Sequence, residues 1–559
     1  MLLQPGLPPL PVFTKARSQT LHRRHIGRGG IRSLLRQSHG NSLQSLADSR
    51  SMVTASYDVC EKTFSDISTC TQYCLSVTGS LIVANLKNTF ASGKTRNLAW
   101  RKAQLAALQR LLLENRKAFE KALAADLGKP AVEVWSTEIG QTLAEISHTY
   151  KNLAGWLRPQ KVRSPLALQP AQSRVYHDPL GTVLIIAPWN YPLQLLFSPL
   201  VGALAGGNCV ILKPSELASH TADVVARLVP QYLDSSAVQV VTGDAQTVTE
   251  LISAKPDKVF FTGSTRVGKI IAAECAEKLI PVELELGGKS PVYVHHDADL
   301  KVAAKRLVWA KFLNAGQTCT APDYVYVHEK VAKKFSRLLV KAVKNAYPNP
   351  RSSKSYGRII TVKHATRLAS MQQPDADARL LHGGEADPQN RFVAPTILFG
   401  VSQQHPAMRE EIFGPILPVL PITSWRAAAA AINEREKPLA AYIFTSSKRL
   451  AAKFREAIFS GGFAINAAVL HSATPYLPFG GVGESGQGSY HGKWSFKAFT
   501  QERGVLYKPT AFDTLKLVYP PVRKPAVWVL RLLLHRRRLP RKSRRLAQLL
   551  QQQNLDPGA

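Results

Sequence analysis

The 559-residue chain is short of cysteine, short of acidic residues and without a long apolar run, and each shortage excludes something. Six cysteines (Cys60, Cys70, Cys74, Cys209, Cys275 and Cys319) are too few for a disulfide framework in so long a chain, so a reducing compartment is the default. Cys70 and Cys74 form a C-x3-C pair with no second His or Cys pair nearby, and no metal centre is expected. The apolar stretches at residues 74–86 and 526–534 fall short of the roughly 20 residues that a helix needs to cross a bilayer. No repeat is visible, which excludes solenoids and propellers.

Acids number 38 against 72 Lys and Arg, a net charge of +34. The imbalance sits at the ends. Residues 1–50 carry eight Lys/Arg and one acid, Asp48, and residues 516–559 carry eleven and one, Asp556, together half of the excess. The middle is only moderately basic, which suits an anionic cofactor. The tail arginines lack interleaved aromatics, so no nucleic-acid partner is expected. Residues 1–90 read as a basic, Ser-rich, acid-poor leader, an organelle transit peptide. Its length and serine content put chloroplast ahead of mitochondrion. A disordered basic leader, or a start at Met52, is the alternative. Residues 522–559 read as a basic amphipathic tail. It either makes a peripheral contact with an anionic membrane surface or docks on the protein body with a solvated basic end.

What is present is an α/β pattern, 45% hydrophobic and long enough for more than one domain. Residues 97–127 have helical periodicity. Short β-branched runs at 181–187, 208–212, 237–241 and 258–262 alternate with helical segments at 193–204, 218–228 and 245–252. A second series follows, with strands at 292–294, 324–327, 416–420 and 440–444. Alternation of this kind implies parallel sheets with crossover helices, here in two domains.

Three places carry chemistry. The run 258–262 leads into Gly263-Ser264-Thr265-Arg266-Val267-Gly268 and a helical pattern, a junction that either faces a phosphate or is only a tight turn. Lys213 and Glu216 follow the second strand, where they would reach the hydroxyls of a ribose or else face solvent. Cys319, in Asn314-Ala315-Gly316-Gln317-Thr318-Cys319-Thr320-Ala321, is flanked by polar residues. This suggests a loop or helix start open to a cleft; a helix N-terminus there would lower the thiol pKa.

Taken in order, several longer motifs resemble the aldehyde dehydrogenase superfamily, and within it the class 3 and fatty-aldehyde branch. They are Ala187-Pro188-Trp189-Asn190-Tyr191-Pro192, Lys213-Pro214-Ser215-Glu216, Phe261-Thr262-Gly263-Ser264-Thr265, Glu283 to Pro291 (ELELGGKSP), Gly316-Gln317-Thr318-Cys319, Glu410-Glu411-Ile412-Phe413-Gly414-Pro415, and Leu477-Pro478-Phe479-Gly480-Gly481-Val482-Gly483 with Gly488-Ser489-Tyr490-His491-Gly492-Lys493. The resemblance spans residues 98–521.

It implies an aldehyde dehydrogenase-like fold: two Rossmann-like parallel-sheet domains plus a bridging and oligomerisation arm. The NAD(P)-binding domain would occupy 91–285 with an arm excursion at 159–178, the catalytic domain 286–495, and a bridging segment 496–521. It implies oxidation of medium- or long-chain aliphatic or aromatic aldehydes to acids with NAD or NADP. Cys319 would be the nucleophile, Asn190 the oxyanion donor and Glu285 the base for thioester hydrolysis, with Glu411 the competitor for that role. Trp189, Lys213, Glu216, Gly263, Ser264, Gly268, Glu411 and Phe413 would hold the cofactor, and two chains would form a homodimer. The sequence departs from the family at Ala467-Ala468, after Asn466, and lacks the branch's long apolar anchor. A catalytically silent binding protein on the same fold is the alternative, disfavoured because Cys319, Asn190 and Glu285 are all present. An acylating variant that delivers to coenzyme A would lack an equivalent of Glu285.

Overall fold

The computed structural model describes residues 67–375, 378–521 and 524–534. Most of the expected transit leader, the basic run at 535–545 and the side chains of Cys70 and Cys74 lie outside the described residues.

The first half folds around a six-stranded sheet in the order Gly486–Gln487, Val282–Glu285, Lys258–Thr262, Thr182–Ile186, Cys209–Lys213 and Val238–Val240. The last five are parallel, and Gly486–Gln487 pairs antiparallel at the edge. TVLII, CVILK and KVFFT are buried at every position, as expected where helices cover both faces. Those helices include Gln194–Gly206, Ser219–Tyr232, Ala245–Ser253 and Thr265–Glu277. Chain order runs outward from Thr182–Ile186 to one side, then returns to Lys258–Thr262 on the other. The carboxyl ends of these two strands therefore form a topological switch point, where such sheets bind ligands.

The second half carries a seven-stranded sheet in the order Arg379–His382, Thr396–Phe399, Ile416–Ile422, Tyr324–His328, Pro291–Val294, Ala440–Phe444 and Gly462–Ile465. It is parallel except at Arg379–His382. The expected arm is present: Gln160–Val162 pairs antiparallel with Gln172–Pro179, which in turn pairs with Thr500–Tyr507. The bridging segment thus supplies the third strand of the arm.

Two boundaries differ from the sequence reading. The helix Ile67–Ala91 buries Val83 and Leu86, three residues apart on one face, in the same core cluster as Val248 and Leu251. Burying side chains of this size contributes about 1.5–3 kcal/mol each. Residues 79–90 are thus part of the domain, and the leader does not extend to residue 90. The apolar character of 74–86 reflects in part this docked helical face. The helix read over 97–127 is two helices, Leu98–Glu114 and Arg116–Leu127. They part at Asn115, whose side-chain amide donates to Leu111 O and to Tyr232 Oη. Asn competes for backbone partners in this way and breaks the run. At the other end, Lys524–Leu534 forms a helix with Trp528 66% exposed. No helix among the described residues is long and apolar enough to cross a membrane.

Candidate active site

Cys319 is placed by the turn before it. Asn314, Ala315 and Gly316 take consecutive left-handed conformations (φ 53°, 51° and 76°). Gly316 is obligatory, because a Cβ there would lie 2.3 Å from Gly414 O. Gln317 is fully buried and locks the turn: its amide donates to Asn314 O and Arg358 O, each at 3.0 Å, and accepts from Ile360 N–H at 3.0 Å. The chain then delivers Cys319, half-buried, into a cleft of about 980 Å³.

Cys319 sits in a turn and not at a helix N-terminus, so the expected helix contribution to a low thiol pKa is absent. Burial, together with the Glu411 and Glu285 carboxylates, pushes the thiol up to about 12; the N–H groups of Thr320 and Cys319 at the sulfur work against this.

Asn190, also on the cleft wall, donates through Nδ2 to Gln317 O at 3.1 Å. That uses one amide hydrogen and leaves the second for an oxyanion. The residue's backbone is held by partners that sequence reasoning missed. Asn190 O accepts from Lys129 Nζ at 2.9 Å and from Asn314 Nδ2 at 2.8 Å. Lys129 and Glu138 form a fully buried ion pair at 2.5 Å, and Glu138 accepts from the N–H groups of Leu193 and Gln194. Nothing local in Gly128-Lys129-Pro130 or Thr137-Glu138-Ile139 marks these charges as buried; only the long-range fold does. Replacing Lys129 with Met should destabilise the protein by about 3–5 kcal/mol, because Glu138 is left buried without its counter-charge. Adding Glu138→Gln should restore most of the denaturation midpoint while kcat stays low, which separates the anchoring of Asn190 from bulk stability.

Two carboxyls face the thiol. Glu285 ends its strand 3% exposed, and neither carboxylate oxygen has a hydrogen-bond partner. Burial, and Glu283 nearby, hold its pKa well above the ordinary carboxylate range. Glu411 is anchored differently. It lies against Gly287, where a Cβ would come within 2.1 Å of its Oε2, and it accepts from Gly288 N–H. Burial and Asp323 raise its pKa to about 8 against the opposing pull of that N–H, Lys289 and Lys311.

The far end of the cleft lies over the switch point. Lys213 is buried at the end of its strand and pairs with the exposed Glu216 at 2.7 Å. Gly263 and Ser264 line the cleft at the start of the helix Thr265–Glu277, which Ser264 caps. Trp189 and Phe413 meet edge to face, 5.3 Å between ring centroids, and Phe413 holds a left-handed φ of 48° to do so. Gly268 departs from expectation. It does not line the cleft but packs inside the helix against Leu286, where a Cβ would lie 2.5 Å from Cδ2, so its role is helix packing.

Residues 62–505 match the model of the aldehyde dehydrogenase family. The chain belongs to this family. It is 44% identical over 441 residues to the dimeric NADP-preferring aldehyde dehydrogenase of Rattus norvegicus, covering 78% of this chain and 97% of the relative. It is 44% identical over 429 residues to the 4,4'-diaponeurosporen-aldehyde dehydrogenase of Staphylococcus aureus, covering 77% and 93%. Among solved structures, the substrate-bound state of Staphylococcus aureus AldH superposes with a TM-score of 0.79 at 41% identity, covering 81% of this chain and 99% of that one. The protein is an NAD(P)-dependent aldehyde dehydrogenase that oxidises aldehydes to acids.

The cleft fits the cofactor on its own terms. Thr262 Oγ1, at the carboxyl end of its strand, is buried without a partner, and a Cβ on Gly263 would lie 2.4 Å from the Phe261 ring. Gly263, Ser264, Thr265 and Arg266 line the cleft at the start of that helix, where first-turn N–H groups favour a phosphate.

Proposed function

We propose that the enzyme oxidises medium- and long-chain aliphatic or aromatic aldehydes through a thioester on Cys319 that water hydrolyses. The carrying observation is the meeting, in one cleft, of the Cys319 thiol, the free Asn190 amide hydrogen and the unpartnered Glu285 carboxyl. Cys319 loses its proton to solvent, its Sγ bonds to the aldehyde carbon as the carbonyl π bond breaks, and the oxygen becomes an oxyanion beside Asn190 Nδ2 and the Cys319 N–H. Donors aimed at such an oxygen are worth about 3–4 kcal/mol each. When bound, NAD(P)+ supplies a two-electron acceptor for the hydride that leaves the hemithioacetal. Glu285 then takes a proton from the attacking water, the C–S bond breaks, and the acid leaves with Cys319 restored. Glu411, held by Gly288 N–H beside Lys289 and Lys311, is better placed to hold the cofactor side than to move protons.

The apolar preference rests on Leu195, Val469, Phe479 and Tyr490 lining the cleft. The Staphylococcus aureus relative is named for the aldehyde 4,4'-diaponeurosporen-aldehyde, which supports an aldehyde substrate here. The test is NAD(P)H formation over a homologous aldehyde series, short to long, with each cofactor. A kcat/KM that rises with chain length supports the proposal; a preference for the shortest aldehydes overturns it.

Lys213 neutralises part of the Glu216 charge, so the adenosine end accepts both cofactors. Glu216→Gln should raise the NADP:NAD ratio of kcat/KM by roughly tenfold, or about 1.4 kcal/mol.

The dimeric state named for the rat relative, together with the three-stranded arm, supports a homodimer here. Organelle targeting by the leader, to chloroplast ahead of mitochondrion, rests on its composition. Peripheral attachment of the tail to anionic membrane rests on its arginines and the exposed Trp528 and Leu534. Co-sedimentation with anionic but not neutral vesicles, lost on removal of residues 522–559, tests the attachment.

A further inference from the structure

The active site uses the carboxyl ends of the first sheet and the amino ends of the second. Glu285 to Ser290 precede the strand Pro291–Val294, and Cys319 precedes its neighbour Tyr324–His328. The carboxyl ends of these two strands lie on the opposite edge, a strand length of about 13–17 Å away. Three histidines gather there. Pro291–Val294 runs into His295 and His296, and Tyr324–His328 ends in His328. The rings of His295 and His296 are 4.0 Å apart, His296 and His328 4.8 Å, and His295 and His328 5.5 Å. Each offers a nitrogen within 4.8 Å of the others.

We propose that His295, His296 and His328 form a site for a divalent transition cation, of which zinc is the representative. Three neutral imidazoles suit zinc, copper or nickel, and exclude calcium and magnesium, which demand oxygen ligands.

The scaffold around the triad is fixed. His295 N–H donates to Phe444 O at 3.0 Å, which ties the turn to the adjacent strand. The Asp297 carboxylate accepts from Thr445 Oγ1 at 2.7 Å and holds the following loop. His295 Nδ1 lies 2.8 Å from Tyr293 Oη. With Nδ1 as the donor there, Nε2 keeps its lone pair, the arrangement usual for a metal-ligating histidine. His328 Nδ1 accepts the Lys330 N–H at 3.3 Å and so caps the helix Glu329–Ala346. Ligation through either ring nitrogen gives up that long bond in exchange for a metal–nitrogen bond. His296 is exposed and completes the set from solvent, leaving the fourth tetrahedral position to water.

A cation here joins the turn after one strand to the start of the helix after the next, so binding should stabilise the fold. The test uses the full chain carrying Cys319→Ser, stripped with chelator, so that the nucleophile does not compete for metal. Zinc is titrated calorimetrically, and cobalt serves as the spectroscopic probe. The expected result is one equivalent of zinc bound, a melting temperature that rises with zinc, and cobalt bands without thiolate charge transfer. His296→Ala, at an exposed position, should weaken binding roughly tenfold or more, and His328→Gln should do the same. Equal zinc affinity in His296→Ala and its parent, a thiolate-to-cobalt band, or the absence of binding overturns the proposal.

Discussion

Replacing Cys319 with alanine is expected to abolish NAD(P)H formation in the first turnover as well as in the steady state. The reason is stoichiometric: without the sulfur, no covalent adduct brings the aldehyde carbon to the point of losing hydride. A rate loss of about 10⁴-fold or more follows, since neither the Asn190 amide nor a carboxyl supplies a substitute nucleophile. The fold should tolerate the change. Cys319 is half-buried on the cleft wall, and its turn is held by Gln317 and Gly316, not by the thiol. Cofactor affinity should therefore survive, because Lys213, Glu216 and Gly263 lie at the other end of the cleft. The same geometry fixes the pH dependence of acylation in wild type. The free thiol is held near 12, so the thiolate fraction grows as pH rises through neutrality, and the rate of the first turnover should climb with it. Measuring the pre-steady-state burst against pH checks this; a burst that falls as pH rises contradicts the raised thiol pKa. A burst in Cys319→Ala would remove the nucleophile assignment itself.

The parts of this enzyme legible in its sequence are those set by short-range pattern. Buried strands such as KVFFT and AAYIF are β-branched or aromatic runs closed by polar or glycine residues, and both appear with the bounds expected. The arm at 159–178 is an expectation of the family resemblance, and it appears as the pairing of Gln160–Val162 with Gln172–Pro179. What escaped depends on contacts between distant residues. Val282–Glu285 reads as alternating acid and apolar, a half-exposed pattern, yet it is an interior strand. Glu283 pairs with Lys258 on the neighbouring strand, and Glu285 is buried in the cleft. Gly268 has the right spacing for a phosphate loop, but the turn ends at Ser264, and by Gly268 the helix is already packed on Leu286. Lys129 lies in the non-helical link between two helices and Glu138 nine residues on in a π-helical turn, and only the long-range fold brings the pair to Asn190. The histidine triad escaped similarly, because adjacency of two strands is a property of the sheet order.

Glu285→Gln is expected to separate the two halves of the reaction. The amide keeps the side chain's size and removes its ability to accept a proton. Acylation depends on Cys319 and Asn190, so one equivalent of NAD(P)H per active site should still appear rapidly. Hydrolysis should then slow by about 10²–10⁴-fold, the usual contribution of a positioned general base. In wild type the carboxyl must be ionised to act, and burial beside Glu283 places its pKa well above the ordinary carboxylate value. Steady-state turnover should therefore rise with pH through that raised pKa, and this rise should be absent in Glu285→Gln. Stability should move the other way. A carboxyl with no hydrogen-bond partner and a raised pKa favours the folded state while protonated, and this contribution is lost as pH rises from the ordinary carboxylate range through the raised value. Gln, neutral at every pH, should flatten that part of the stability profile. Glu411→Gln is the decisive control. Glu411 lies against Gly287 and is held by Gly288 N–H, so its loss should raise the KM for NAD(P) and slow the burst itself. Should Glu411→Gln instead retain a full burst and stall at hydrolysis while Glu285→Gln turns over normally, the base is Glu411, and the two carboxyls exchange roles.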